Sequence, residues 1–117
     1  MHWRKLKIWE RSHELALHVY KLSSKFPKEE TYALTSQIRR SATSVPANIV
    51  EGQSRKTQKE YVQFLYNARG SLEETRYFLL LAKDLLYISN EIYFDLEGNY
   101  EEVSRMLNSL IMKIKAN

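Results

Sequence analysis

Three histidines are the side chains best suited to bind a metal ion or transfer a proton near neutral pH: His2, His13 and His18. His13 and His18 are one residue further apart than the histidines of the zinc-protease motif, so on a helix their rings would point about 140° apart. Cysteine is absent, which excludes thiolate zinc sites and disulfides. Ser41 and Ser44 have no histidine placed by the sequence to activate them, and no glycine-rich phosphate loop is present. The sequence therefore predicts no catalytic residue, no metal and no cofactor.

Polar side chains at helical spacing in the middle of the chain indicate contact rather than catalysis. They form a stripe about 100° from an apolar stripe on the same helix. The apolar stripe is Leu34, Ile38, Ala42, Val45 and Ile49, and the polar stripe is Gln37, Ser41, Ser44, Asn48, Glu51 and Arg55. The side chains at the centre of the polar stripe are short and uncharged. We therefore interpret this stripe as a second contact surface rather than a solvated face.

Asn67 and Glu74, seven positions apart on the following helix, are candidate partners for this polar stripe. We expect a half-buried network that fixes helix register and partner choice, as single polar groups do in coiled coils. An ion pair between Arg40 and Glu74 is the example we predict. The network would comprise Gln37, Arg40, Ser44, Asn48, Glu51, Asn67 and Glu74. The alternative is that these residues lie on the surface without a network.

The charge distribution favours an anionic partner. The 117 residues carry a net charge of +4 and a pI near 9.3, and the positive charge is clustered. Residues 91–102, by contrast, hold five acidic side chains and no basic one. The predicted nucleic-acid contacts are Arg4, Lys5, Lys7, Arg39, Arg40, Arg55, Lys56 and Lys59. Such contacts would be made to backbone phosphate, and the alternative is a mixture of solvated faces.

Four helical segments account for nearly the whole chain. We expect helices over residues 6–25, 30–52, 57–87 and 90–115, each with an apolar stripe at intervals of three and four residues. The third is apolar over more than one stripe and should face two neighbours. Because the connections are short, successive helices should run antiparallel. The predicted fold is all-α, an antiparallel up-down-up-down four-helix bundle in a single domain.

Local signals set the predicted ends and interruptions of these helices. Thr57-Gln-Lys-Glu60 is a capping box that starts the third helix, and Ser89 or Asn90 should cap the fourth. Gly52 is the expected cap at the end of the second helix. Pro46 lies inside that helix, so we expect a kink or a break near Thr43, with Ser or Thr hydroxyls meeting the freed carbonyls. Gly98 is where the fourth helix could break.

Compartment signals point to the cytoplasm. The N-terminal residues lack an apolar signal core. The longest uninterrupted apolar run, residues 78–82, is too short to span a bilayer. We expect a cytoplasmic protein with no membrane partner.

The middle of the chain carries a specific joined motif. It runs from Gln37 to Gly52, continues at Arg55, and is followed by Glu-Tyr-Val-Gln-Phe-Leu from Glu60 and Ala-Arg-Gly-Ser-Leu-Glu-Glu-Thr from Ala68. This pattern resembles the four-helix-bundle family encoded in intervening sequences of bacterial 23S ribosomal RNA genes. Asn48, Glu51 and Gly52 match the family motif. The departures are mild: Val50, Ser41 and Arg69.

The resemblance implies a bundle that assembles as a closed homopentameric ring. A related branch, the accessory protein of diversity-generating retroelements, is a basic pentamer associated with nucleic acid and with a reverse transcriptase. The family has no known catalytic residues to carry over to this chain.

The sequence thus predicts a non-enzymatic, self-assembling protein whose basic surface binds RNA or DNA without sequence preference. The main alternative is an adaptor whose partner is another polypeptide, with the basic charge incidental. An enzyme of unknown type is the remote alternative.

Overall fold

Four α-helices and two short 3-10 turns make up the computed structural model, which describes residues 2–117. The helices are α1 (Lys7–Ser23), α2 (Leu34–Gln53), α3 (Gln58–Asp84) and α4 (Asn90–Lys115), and the 3-10 turns are Trp3–Lys5 and Lys28–Glu30. No helix within the described residues has the length and apolar character that crossing a bilayer requires.

Contacts between the helices run in opposite sequence directions, which confirms the antiparallel all-α bundle. The end of α1 meets the start of α2 through Ser23 and Arg39. The middle and end of α2 meet α3 at Thr75 and then at Tyr61. Toward the end of α3, Arg76 contacts Glu101 of α4. Near the start of α3, Tyr66 contacts Lys115 at the end of α4. Arg11 pairs with Glu102 and closes α1 against α4.

The apolar stripes predicted for each helix form the core. Along α3, Leu65, Leu72 and Leu79 have no exposed surface, and Ile38 on α2 and Leu107 on α4 are equally buried. The second stripe of α3 is covered only in part. Phe64, Ser71 and Phe78 are half-buried, and Leu85 is 44% exposed. One chain therefore fills the core but leaves a flank of α3 incompletely packed.

The helix ends differ from the predictions by a few residues. Thr57 and Ser89 cap α3 and α4 as predicted, since their hydroxyls accept hydrogen bonds from Glu60 N and Ile92 N, both at 3.1 Å. Helix α3 stops three residues early because Leu86 adopts a left-handed φ of 66°, a conformation that ends a helix.

Helix α2 begins at Leu34 rather than near residue 30. Residues 28–30 form a 3-10 turn, and Ala33 has φ −122° and ψ −108°, which is outside the helical region. Glu30 still caps the start of the helix, because its Oε1 accepts a hydrogen bond from Leu34 N at 3.2 Å.

Of the kink or break predicted near Thr43, the break does not occur, and the predicted break at Gly98 is wrong, since α2 and α4 run through Pro46 and Gly98 without interruption. The carbonyl that loses its usual donor at Pro46 is that of Ala42. The hydroxyls expected to meet it bond earlier carbonyls instead: Thr43 Oγ1 donates to Arg39 O at 2.8 Å, and Ser44 Oγ donates to Arg40 O at 2.7 Å.

Gly52 does not cap α2, which extends one residue beyond it to Gln53. Its importance is that it allows α2 and α3 to approach each other closely. A Cβ built on Gly52 would lie 2.8 Å from Tyr61 Cδ1 and 3.1 Å from Phe64 Cβ, shorter than van der Waals contact. The Tyr61 ring is held in place because its hydroxyl accepts a hydrogen bond from Gln53 Nε2 at 2.7 Å. A residue without a side chain therefore lets the end of α2 lie against the start of α3.

Replacing Gly52 by Ala should lower the free energy of unfolding by about 1–3 kcal/mol, because the added methyl group overpacks the α2–α3 contact. Gly70→Ala is the matched control. A Cβ at Gly70 meets nothing within 4 Å, so this change in a helix interior should raise the free energy by about 0.5–1 kcal/mol. Urea denaturation measures both. Stabilisation by Gly52→Ala would contradict the close approach.

Candidate nucleic-acid interface

One end of the bundle collects basic side chains from α1, α3 and α4, from the segment before α1 and from the connection between α2 and α3. Because neighbouring helices are antiparallel, the segments that start α1 and α3 and those that finish α2 and α4 lie together. Trp3 borders a cleft with Val50 and Ser54, and Lys59 borders another with Lys115. We call this region the basic end. Its cations are Arg4, Lys5, Lys7, Arg55, Lys56, Lys59, Lys113 and Lys115, and its acidic side chains are Glu10, Glu51 and Glu60.

The opposite end of the bundle has the reverse balance. Residues 21–30 and 83–97 carry four basic and six acidic side chains. The molecule measures 46 Å along its long axis and 25 × 20 Å across. Positive charge is therefore concentrated on one end face of an elongated molecule, where its field adds up.

Aromatic rings support two of the arginines at the basic end. The Arg4 guanidinium lies 4.7 Å from the centroid of Trp3, and that of Arg55 lies 4.6 Å from the centroid of Phe64. Arg55 also pairs with Glu51 at 3.4 Å. Cation–π contacts of this kind orient a guanidinium while leaving its N–H groups available to phosphate.

The lysines of the basic end are mostly uncompensated. Within residues 2–117, salt bridges involve Arg11, Arg55, Arg76, Lys83 and Arg105. The lysines at the basic end are therefore outside any salt bridge among the described residues, and all six are exposed: Lys5, Lys7, Lys56, Lys59, Lys113 and Lys115. Exposed ammonium groups without a carboxylate partner are the groups that gain most from a polyanion.

The structure separates Arg39 and Arg40 from the other predicted contacts. Arg39 secures the end of α1: Nε donates to Ser23 Oγ at 2.8 Å, Nη2 donates to Tyr20 O at 3.2 Å, and the guanidinium lies 4.6 Å from the Tyr20 centroid. Arg39 and Arg40 lie fourteen and thirteen residues before Gln53, the last residue of α2, which places them about 20 Å from that end along the helix axis. In a single chain they do not share a surface with the basic end.

The predicted ion pair between Arg40 and Glu74 is wrong. Arg40 Nη2 donates to Gln37 Oε1 at 2.9 Å on its own helix, and Glu74 is exposed. Asn67 is also exposed, and its Oδ1 accepts a hydrogen bond from Gln63 at 3.3 Å. These polar groups bond within one helix because i to i+3 and i to i+4 neighbours are closer than the adjacent helix.

Ser44 and Asn48 likewise bond along α2, since Asn48 Nδ2 donates to Ser44 O at 2.7 Å. A buried hydroxyl pair links α2 to α3 instead. Thr75 Oγ1 lies 2.8 Å from Ser41 Oγ, and both residues are almost inaccessible.

Arg76 was missed by reasoning from the sequence. It lies on α3 facing the acidic run of α4, where it contacts Glu97 and pairs with Glu101 at 2.9 Å, and on its own helix it pairs with Glu73 at 3.0 Å. Its hydrogen bond to Glu97 is the main cause that raises the pKa of Arg76 above its usual value. The negative charge of the acidic run is thus partly neutralised inside the fold. Its five carboxylates were the signal in the sequence from which a cation on a facing helix could be predicted.

Lys113 and Lys115 were also missed, although the predicted antiparallel topology already places the end of the fourth helix beside the start of the third. The histidines form no metal site: among residues 2–117 no cluster of metal-binding side chains occurs. His13 is stacked on Trp9, with the ring centroids 5.0 Å apart and 7° between the ring planes.

Comparison with known proteins agrees with this architecture. The model of the 23S rRNA-intervening sequence protein family matches residues 4–109. A crystal structure of a protein of unknown function from the S23 ribosomal protein family of Bacteroides thetaiotaomicron superimposes with a TM-score of 0.82 at 28% sequence identity, covering 89% of this chain and 97% of that one. No curated protein is similar enough to match. The chain belongs to the family of 23S rRNA-intervening sequence proteins.

Proposed function

We propose that this protein is a non-enzymatic, self-assembling binder of RNA or DNA, and that the basic end is the surface that contacts the phosphate backbone. The observation that carries the proposal is the gathering of eight cations against three carboxylates, contributed by α1, α3, α4, the segment before α1 and the connection between α2 and α3. Lysines and arginines on one face are the footprint of a polyanion site.

The size of the basic end suits a nucleic-acid backbone. Its face measures about 25 × 20 Å, and a 25 Å length of duplex carries about 15 phosphate charges. The exposed lysines are flexible point charges, and the two arginines are oriented by aromatic rings. Such a surface would bind with little base preference, since phosphate contacts carry no sequence information.

Self-assembly is the second part of the proposal, and two incompletely covered apolar faces on either side of α2 support it. One is a groove of about 270 Å³ between α1 and α2, bordered by Trp9, Leu17 and Val50, where Leu17 is 57% exposed. The other is the flank of α3 with the heptad-spaced Phe64, Phe78 and Leu85, which lies beside α2 at Gly52.

A contact between two different faces is head-to-tail, and head-to-tail contacts close into rings when the rotation allows. The proposed ring has five subunits, the number that the family resemblance implies. If the ring axis runs along the bundles, symmetry presents every basic end on the same side. Ring formation would then multiply the local positive field.

Reversing charge at the basic end should abolish most of the binding. The variant Lys7→Glu/Lys56→Glu should weaken the affinity for a labelled RNA at least tenfold at about 50 mM salt, and should reduce the slope of log K against log salt by about 2. Fluorescence anisotropy measures both quantities.

The matched control is Lys21→Glu/Lys25→Glu, which changes net charge equally at the opposite end and should alter affinity less than threefold. Equal weakening by both double variants would mean that net charge alone matters. Absence of binding by the wild-type protein at low salt would favour the adaptor.

The assembly is tested by light scattering. The wild-type protein should have about five times the 13.9 kDa chain mass. Leu17→Glu should shift it toward single chains, because a charge in an apolar interface is costly. Met112→Glu on α4 makes the same change at a 71% exposed position outside both faces and should leave the mass unchanged. A wild-type particle of single-chain mass would refute the ring.

A further inference from the structure

A groove at the edge of the basic end combines an aromatic ring with two cations. It lies between the start of α3 and the end of α4, has a volume of about 440 Å³, and is bordered by Lys59, Val62, Gln63, Tyr66, Ile114 and Lys115. We call it the Tyr66 groove. Its volume is within the range of small-ligand sites, and its floor is apolar while its rim is positively charged.

Tyr66 is held in a fixed position by both helices. The Arg69 guanidinium lies 4.8 Å from the ring centroid and is itself anchored, since Nη1 donates to Asn108 Oδ1 at 3.0 Å. Lys115 Nζ donates to the Tyr66 hydroxyl at 3.2 Å. Arg69 does not border the groove, so it supports the ring from outside. The ring is half-buried and borders the groove.

The chemistry of the groove matches one nucleotide. A nucleobase stacks on a tyrosine ring irrespective of its identity, and nearby cations contact the phosphate that it carries. Lys59 and Lys115 stand on opposite helices across the groove, and Lys115 keeps two ammonium protons after bonding Tyr66. The amide of Gln63 can bond a base edge without selecting one base, because it offers both donor and acceptor.

We propose that the Tyr66 groove takes one unpaired nucleotide of a single-stranded RNA or DNA, with its base stacked on Tyr66 and its phosphate between Lys59 and Lys115. The inference rests on the proposed function, since it requires a polynucleotide at the basic end. A base within a duplex is already stacked and paired, so it cannot enter without being extruded. The protein should therefore prefer single strands to duplexes.

The test compares a labelled single strand of about 12 nucleotides, near the size that such sites cover, with the same strand annealed to its complement. Tyr66→Leu, which removes the ring, should weaken single-strand binding at least fivefold and duplex binding less than twofold. Tyr66→Phe keeps the ring, so its affinity for the single strand and for the duplex should stay within about threefold of wild type.

A second readout uses wild-type protein and a strand containing 2-aminopurine, whose fluorescence should be quenched when that base stacks on Tyr66.

The outcomes separate this inference from the proposed function. Three results would each overturn the nucleotide site proposed in the Tyr66 groove and leave the basic end intact. The first is equal affinity of the wild-type protein for the two substrates, and the second is equal weakening of both by Tyr66→Leu. The third is unquenched 2-aminopurine in the bound strand. Failure of the wild-type protein to bind either substrate would overturn both.

Discussion

The close antiparallel contact between α2 and α3 is the constraint on which the rest of the structure depends. At one end, the missing side chain of Gly52 lets Tyr61 and Phe64 lie against α2, and in the middle the buried hydroxyls of Ser41 and Thr75 meet at 2.8 Å. Two such points fix the register of the pair, because a slip by one helical turn would move them by about 5.4 Å. With that register, the connection 54–57 leaves the bundle at the same end as the start of α1 and the finish of α4. The basic end is a consequence of this geometry.

The fold could be predicted from the sequence because its signals are local and agree with one another. Apolar stripes, the Thr57 and Ser89 caps and short connections all favour an antiparallel bundle, and the structure confirms it. The exceptions were decided by tertiary packing. Leu86 takes a left-handed conformation that no propensity predicts for leucine. Pro46 is buried inside α2, which runs through it without a break.

The candidate site was harder to predict, because proximity along the chain was a poor guide to proximity in space. Arg39 and Arg55 belong to one motif, yet Arg39 lies near the start of α2 and Arg55 just beyond its end, with about 21 Å of helix between Arg39 and Gln53. Lys115 is far from Lys59 in sequence and faces it across a groove. The sequence predicted a second contact surface from the polar residues on α2. It could not tell that Ser41 faces α3 while Arg40 stays with Gln37, because side-chain partners depend on the rotation of each helix.

Charge is what links this fold to the proposed function, and the most direct test is to find where a polyanion touches the protein. Lysine acetylation with and without bound RNA reads all ten lysines of the chain in one measurement. The account predicts protection of Lys5, Lys7, Lys56, Lys59, Lys113 and Lys115, with no change at Lys21, Lys25, Lys28 and Lys83. Protection spread evenly over both ends, or concentrated at the second group, would contradict it.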